Sequence, residues 1–292
     1  MVTEEASVEL EARAARADSR RGFLVGAPAY VYLILFFAIP LLIVVVYSFA
    51  SRSSTGLTIL GEWNLDSWAR VFTSQPLQIA LRSLWLALAT TILSFVLGYP
   101  FAYWIATRPA ALRAVLLVLV MIPFWSNFLV RTYAIRFLMG VEGPISVISQ
   151  ALGGGEVRVL FTTTAILVGM VYGYLPFMIL PLYAALERMD WRLVEAARDL
   201  YADGWTAFRK VTFPLSMPGV IAGSVLVFIP ALGAYVIPAI LGGSNTVLLG
   251  DYIVSQFLSA RNWPYGSALS TAVMVVMLGA TIVYFRRGGR TL

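Results

Sequence analysis

The 292-residue chain contains no cysteine and no histidine, and only 12% of its residues are charged. Without cysteine it has no disulfide, no thiol nucleophile and no thiolate metal ligand. Without histidine it also lacks the commonest metal ligand and the side chain best suited to proton transfer near neutral pH. Most redox and zinc chemistries are thereby excluded. A soluble domain carries charge on about a quarter of its residues; here 60% are hydrophobic and the mean hydropathy is +0.82. These values predict an all-α integral membrane protein. The sequence holds no G-x-x-x-x-G-K-[ST] phosphate loop, so the chain is expected to bind no cofactor and to be no enzyme by itself.

What is present is apolar length. Six runs approach or exceed the roughly 20 residues needed to cross a hydrocarbon core, at about 23–50, 79–106, 112–130, 160–186, 220–241 and 265–285. Arg13, Arg16, Arg20 and Arg21 precede the first run in the manner of a signal peptide. Its apolar stretch is far longer than the about 7–15 residues of a signal core, so it reads as a retained anchor. Residues 1–22 mix Glu and Arg with Ala and read as a helical or unstructured cytoplasmic tail.

Arginine placement sets the expected orientation. With the N-terminus inside, the cytoplasmic segments hold Arg13, Arg16, Arg20, Arg21, Arg108, Arg113, Arg188, Arg192, Arg198, Arg209, Lys210, Arg286, Arg287 and Arg290. The other side holds Arg52, Arg70, Arg82, Arg131, Arg136, Arg158 and Arg261. This two-to-one excess follows the positive-inside rule and puts both termini, with residues 187–218, in the cytoplasm of a multi-pass membrane protein.

Pro100, Pro123, Pro176, Pro181, Pro230 and Pro238 fall within or at the ends of the apolar runs. Each removes a backbone hydrogen bond and tends to kink a helix, which a membrane tolerates where the freed carbonyls face protein or a wet cavity. In the fifth run Pro230, Gly233, Pro238 and Gly242–Gly243 cluster, and a translocation path is expected there.

The longest polar interruption is "EAARDLYADGWTAFRKVTFPLSMPG", residues 195–219. From Asp190, a candidate N-cap, Leu193, Ala196, Ala197, Leu200 and Gly204 recur at helical spacing. Arg192, Glu195, Asp199 and Asp203 occupy the other side. A short amphipathic helix turned by Gly204 is predicted, with Pro214 and Pro218 stopping helical structure before the fifth run. Three readings fit this pattern: a helix lying on lipid headgroups, which would want a basic polar face; a solvated linker; or a docking helix whose small residues admit a partner and whose charges orient it.

The segment resembles the "EAA" loop of ABC-importer permeases, whose pattern is Glu-Ala-Ala, three residues, Gly, nine residues, Ile, one residue, Leu-Pro. Glu195, Ala196 and Ala197 match, Val211 stands at the Ile position, Phe213 at the Leu position, and Pro214 matches; Tyr201 replaces the glycine, with Gly204 displaced nearby. "MIPFWSNFLVRTYA" (121–134), "FIPALGAYVIPAILGG" (228–243) and "SQFLSARNWPYGSALS" (255–270) resemble, in this order, the larger permease of the spermidine/putrescine subgroup. The resemblance covers nearly the whole chain. It implies a type I ABC-importer permease fold with six transmembrane helices and a cytoplasmic coupling helix carrying Glu195, Ala196, Ala197, Arg198, Asp199, Gly204 and Pro214. It also implies a second homologous permease, two ATP-binding cassette subunits that hold ATP and Mg2+, and an external substrate-binding protein. Membrane lipid is the remaining partner, and no nucleic acid is expected.

The resemblance points to a small organic cation, putrescine or spermidine, as the solute. Conducting a polycation favours acids or aromatic faces, yet none of the six runs contains Asp or Glu. Some polyamine permeases carry an acid in the stretch aligned with "LGAYVIPAILGG", where Ala234 and Ala239 leave this chain neutral. Trp104, Trp125, Asn127, Phe228, Pro230, Tyr235 and Asp251 are the candidate path residues. Each has a plainer alternative: aromatic packing or an interfacial belt for the rings, helix capping for Asp251, and snorkelling for Arg131 beside Asn127. The competing solutes within the same transporter class are an opine, an aminophosphonate or a thiamine-like cation. A secondary transporter would show internal repeats and intramembrane ionisable residues, and neither is found.

Overall fold

The computed structural model describes residues 26–53, 56–243 and 246–288, without the side chains of residue 280 and of residues 283–288. The expected tail at 1–22, with Arg13, Arg16, Arg20 and Arg21, and Arg290 lie outside the described residues. The described residues form two compact units, 26–71 with 261–288 and 72–260.

The first unit is built on α1 (Gly26–Tyr47), which contains a π-helical turn at Ile34–Ala38. A two-stranded hairpin follows, β1 (Ser51–Arg52) and β2 (Thr58–Ile59), then α2 (Asp66–Val71), and the unit is completed by α12 (Trp263–Gly288). Tyr47 meets Trp263 at 6.2 Å between ring centroids, and the Arg70 guanidinium lies 4.4 Å from the Tyr265 ring centre. Tyr30 through Phe37, Ile39 and Leu41 to Ile43 on α1 are exposed. An apolar surface of that length suits lipid or another subunit, because water gives it no compensation.

The second unit contains α3 (Ser74–Ala106), α4 (Ala110–Trp125), α5 (Phe128–Leu138), α6 (Pro144–Ala151) and α7 (Thr163–Glu187), then α8 (Arg192–Asp199), α9 (Gly204–Leu232), α10 (Val236–Leu241) and α11 (Leu249–Leu258). Its core is the mutual packing of α3, α7 and α9, with Leu86, Ile105, Ile166, Met170, Met178, Leu182 and Val227 almost fully buried. Lipid tails are as apolar as leucine, so close packing rather than the hydrophobic effect must hold such helices together. α9 supplies that through G-x-x-x-G at 219–223: Gly219 abuts Ala185 and Pro181, and Gly223 abuts Met178.

Among the described residues four helices are long and apolar enough to span a membrane: α1, α3, α7 and α9. α4 and α5 make a fifth if taken as one span, bent by 90°. The apolar stretch Trp263–Gly279 of α12 corresponds to the sixth expected run.

Two expectations are corrected here and one is sharpened. The third run, in which Pro123 was expected to kink the helix, does not end at residue 130 but breaks at Ser126 and continues to Leu138: Ser126 is extended and Asn127 starts a new helix, its side chain accepting a 2.8 Å hydrogen bond from the Leu129 N–H. Pro214 and Pro218 do not stop the helix, because α9 runs unbroken from Gly204 to Leu232. A π-helical turn at Phe208–Thr212, in which the Phe213 N–H bonds the Phe208 carbonyl, precedes Pro214 and shifts the hydrogen-bond register where that proline lacks a donor. The fifth run breaks where Pro230, Gly233 and Pro238 cluster, as their spacing suggested, with Gly233, Ala234 and Tyr235 separating α9 from α10.

Candidate functional site

The loop between α7 and α9 folds into a compact cap. The Arg192 N–H donates to Asp190 Oδ1 at 3.0 Å, so Asp190 does cap the start of α8. Met189, Val194 and Ala207 form a small core against which Trp191, Ala197, Ala202 and Val211 pack. Val211, in the Ile position of the loop pattern, thus packs against this core.

Burial divides the helix differently from the predicted face. Val194 and Ala197 point inward, while Leu193, Ala196 and Leu200 are exposed beside Glu195, Arg198 and Asp199. Leu193, Ala196 and Leu200 recur at i, i+3 and i+7, so they share one outward face. The linker reading does not require such a face, and the docking reading does. Arg198 in the last turn complements the negative end of the helix.

Gly204 does not turn the helix, as the sequence suggested. α8 ends one turn earlier in a Schellman arrangement: the Ala202 N–H bonds the Ala197 carbonyl at 3.1 Å and the Tyr201 N–H bonds the Arg198 carbonyl at 3.0 Å. Tyr201, which replaces the pattern's glycine, takes the left-handed conformation at φ +63° and is fully exposed. Gly204 is instead the first residue of α9. Asp203 caps it by accepting from the Thr206 N–H at 3.3 Å, and hydrogen bonding from Thr206 holds the Asp203 carboxyl below its usual range. Pro214 lies exposed in the first turn after the π segment.

The expected path residues fall into three places. Trp104 sits near the loop end of α3, half-exposed, with Arg108 5.1 Å from its ring and Phe101 5.9 Å away. Trp125 and Asn127 flank the bend between α4 and α5, where Trp125 is 76% exposed. The Arg131 guanidinium lies over Phe124 at 4.8 Å and Phe128 at 5.7 Å, with its buried Nε and one Nη unbonded.

Phe228, Pro230, Tyr235 and Asp251 belong to the third place, the break after α9. Tyr174 on α7 donates to the Pro230 carbonyl at 3.4 Å, and Tyr235 stands half-exposed. A Cβ on Gly250 would lie 2.5 Å from the Gly233 carbonyl oxygen and 2.6 Å from that of Ala234. Only glycine lets the start of α11 approach the broken backbone so closely. Its neighbour Asp251 is half-buried in the first turn of α11. Burial raises its carboxyl above the usual range, with no charged neighbour contributing.

Bend and break converge on α7. Phe124 meets Phe177 at 5.1 Å, Phe177 neighbours Tyr174 at 6.4 Å, and a Cβ on Gly173 would lie within 4 Å of both Phe128 and Ile237. Sequence reasoning missed Gly169 and Gly173, against which α10 packs through Leu241 and Ile237. It missed Gly219 and Gly223 as well. The four-residue spacing in "GMVYG" and "GVIAG" was readable.

Residues 98–287 match the family described as binding-protein-dependent transport system inner membrane component. The chain belongs to that family. It is therefore a multi-pass component of an inner membrane. Over 257 residues it is 40% identical to the spermidine/putrescine transport system permease protein PotB of Haemophilus influenzae, covering 87% of this chain and 90% of the relative. The Escherichia coli K12 protein of that name is 38% identical over the same length and share of this chain, and 93% of it is covered. A chain of a bacterial alginate ABC transporter, 16% identical, superposes with a TM-score of 0.71 over 92% of this chain and 96% of its own length. That last likeness concerns the fold, which is that of a type I importer permease.

Proposed function

We propose that this chain is one permease subunit of an ATP-driven importer for putrescine and spermidine. It pairs with a second, similar permease, receives solute from an external binding protein, and docks an ATPase subunit on the loop at 187–218. The single observation that carries the substrate class is 37–40% identity over 87% of the chain to polyamine permeases. The outward face of Leu193, Ala196 and Leu200 beside Glu195 supports the docking role, since apolar contact supplies affinity and flanking charge sets orientation.

ATP and Mg2+ are held by the partner ATPases, and this chain supplies no phosphate-binding loop. Closure of those subunits displaces α8. The unbroken length of α9, continuous from Gly204, carries the displacement to the break at Gly233–Tyr235. Both permeases then exchange inward- and outward-facing arrangements, and only a difference in contact between those two states couples hydrolysis to movement. Orientation with both termini inside follows the arginine distribution and puts the loop on the ATPase side.

The test is uptake of labelled putrescine and spermidine by a transport-deficient bacterium expressing the complete transporter, with Glu195→Arg as the paired variant. Uptake that needs ATP and is abolished by Glu195→Arg at unchanged membrane level supports both assignments. Assembly and ATP hydrolysis without polyamine uptake would remove the substrate and leave the transporter class, with the neutral Ala234 and Ala239 as the reason. Normal uptake by Glu195→Arg would remove the docking assignment.

A further inference from the structure

A chain of aromatic rings joins both sides of the cytoplasmic loop to one turn of α3. Before α8, Trp191 meets Tyr103 edge-on at 5.7 Å. After it, Trp205 stacks on Phe208 at 5.5 Å, and Phe208 meets Tyr99 at 5.5 Å and Tyr103 at 6.3 Å. Tyr99 and Tyr103 are one helical turn apart, so the loop grips α3 at two adjacent points on one face. The Tyr99 ring also meets Phe213 at 5.9 Å, and its hydroxyl shares a 2.8 Å hydrogen bond with Ser216. Both hydroxyls are buried, which fixes the register between α3 and α9. Phe208 opens the π-helical turn that precedes Pro214.

The opposite end of α3 is tied just as specifically. The Ser83 hydroxyl accepts a buried 2.7 Å hydrogen bond from the Leu249 N–H, at the start of α11. Asp251 lies two residues further on. Twenty residues of helix separate Ser83 from Tyr103, about 30 Å at 1.5 Å per residue.

We infer that α3 is a connecting rod: Tyr99 and Tyr103 receive the displacement of the loop, and Ser83 delivers it to the helix that bears Asp251. This route rests on the reading of the loop as the ATPase-docking element and adds to it. Direct continuation along α9 moves the break at Gly233–Tyr235, while the rod moves α11, which lies against the same break through Gly250. The two halves of the broken site are thereby driven together. Tyr99, Tyr103, Phe208 and Ser83 are positioning residues that touch neither solute nor nucleotide.

The test uses the complete transporter in proteoliposomes with loaded binding protein, reading putrescine moved per ATP hydrolysed. Phe208→Leu, Tyr99→Leu and Ser83→Ala should each lower that ratio about fivefold or more while hydrolysis continues, the size expected of a lost coupling term. A packing role would lower assembled protein without changing the ratio, and that result overturns the proposal. A second measurement covers variants that fail to assemble. Because the chain has no cysteine, Tyr103→Cys with Trp191→Cys can be bridged by a short bifunctional thiol reagent, the other subunits being cysteine-free. Loop and α3 moving as one body predicts retained uptake after bridging; loss of uptake on bridging shows they move apart and overturns the rod. If Glu195→Arg leaves coupling intact the docking reading fails, whereas if it uncouples and Phe208→Leu, Tyr99→Leu and Ser83→Ala do not, only the rod falls.

Discussion

Gly219 lies so close to Ala185 that a Cβ on the glycine would stand 2.6 Å from the alanine Cβ and 2.7 Å from the Pro181 carbonyl oxygen. One turn later, a Cβ on Gly223 would meet Met178 Sδ at 2.8 Å and the Met178 carbonyl oxygen at 3.1 Å. The flexible Met178 side chain can move aside, but the backbone of α7 cannot. Gly219→Leu should therefore separate α7 and α9, destabilising the fold by about 3 kcal/mol, the upper range for overpacking. Gly223→Ala should cost less. Thermal unfolding of the purified protein and its folded level in membranes measure both. Gly204→Ala is the control: nothing lies within 4 Å of that position, and its unfolding temperature should not fall.

Tyr201 gives the opposite sign. Its left-handed backbone, φ +63°, is strained for a residue with a Cβ, and its side chain is fully exposed, so no packing is lost on truncation. Tyr201→Gly should relieve roughly 1 kcal/mol of strain, offset in part by the greater freedom of glycine in the unfolded chain. The loop should become more resistant to proteolysis and uptake should persist. A fall in uptake without loss of assembled transporter would mark the Tyr201 ring as a docking contact beside Leu200.

Much of this architecture was legible because a membrane leaves few options. Apolar length and proline placement located the helices and the break near Pro230 and Gly233, and the Glu195–Pro214 spacing marked out the polar loop between α7 and α9. The ends of elements were not legible. Pro214 ordinarily stops a helix, and only the π-helical turn at Phe208–Thr212 lets α9 run through it. Pro123 and Asn127 marked a kink in the stretch 112–130, but not that its two halves turn by 90°. On α8 the stripes Val194–Ala197 and Leu193–Ala196–Leu200 are both apolar. Which faces inward is decided by Met189, Ala207 and Val211, residues outside the helix.

Asp251 is the acid through which the path reading can be tested most directly. It sits where α11 abuts the broken backbone of Gly233 and Ala234, and burial raises its carboxyl above the usual range. A bound ammonium favours the charged form and lowers that value again. Acidification protonates Asp251 earlier than an exposed carboxyl and removes the attraction, so uptake should decline as pH falls toward the raised value. On the proposed function an external binding protein sets solute affinity, so the effect belongs in the maximal rate rather than in the half-saturating concentration. Asp251→Asn should lower the rate at saturating loaded binding protein by about tenfold, the worth of one hydrogen bond to a charged group. It should also flatten the acid limb of the pH profile. An unchanged rate with the acid limb retained would leave Asp251 as a residue of the first turn of α11 and shift the cation contact to the Tyr235 ring, whose face would then carry the attraction alone.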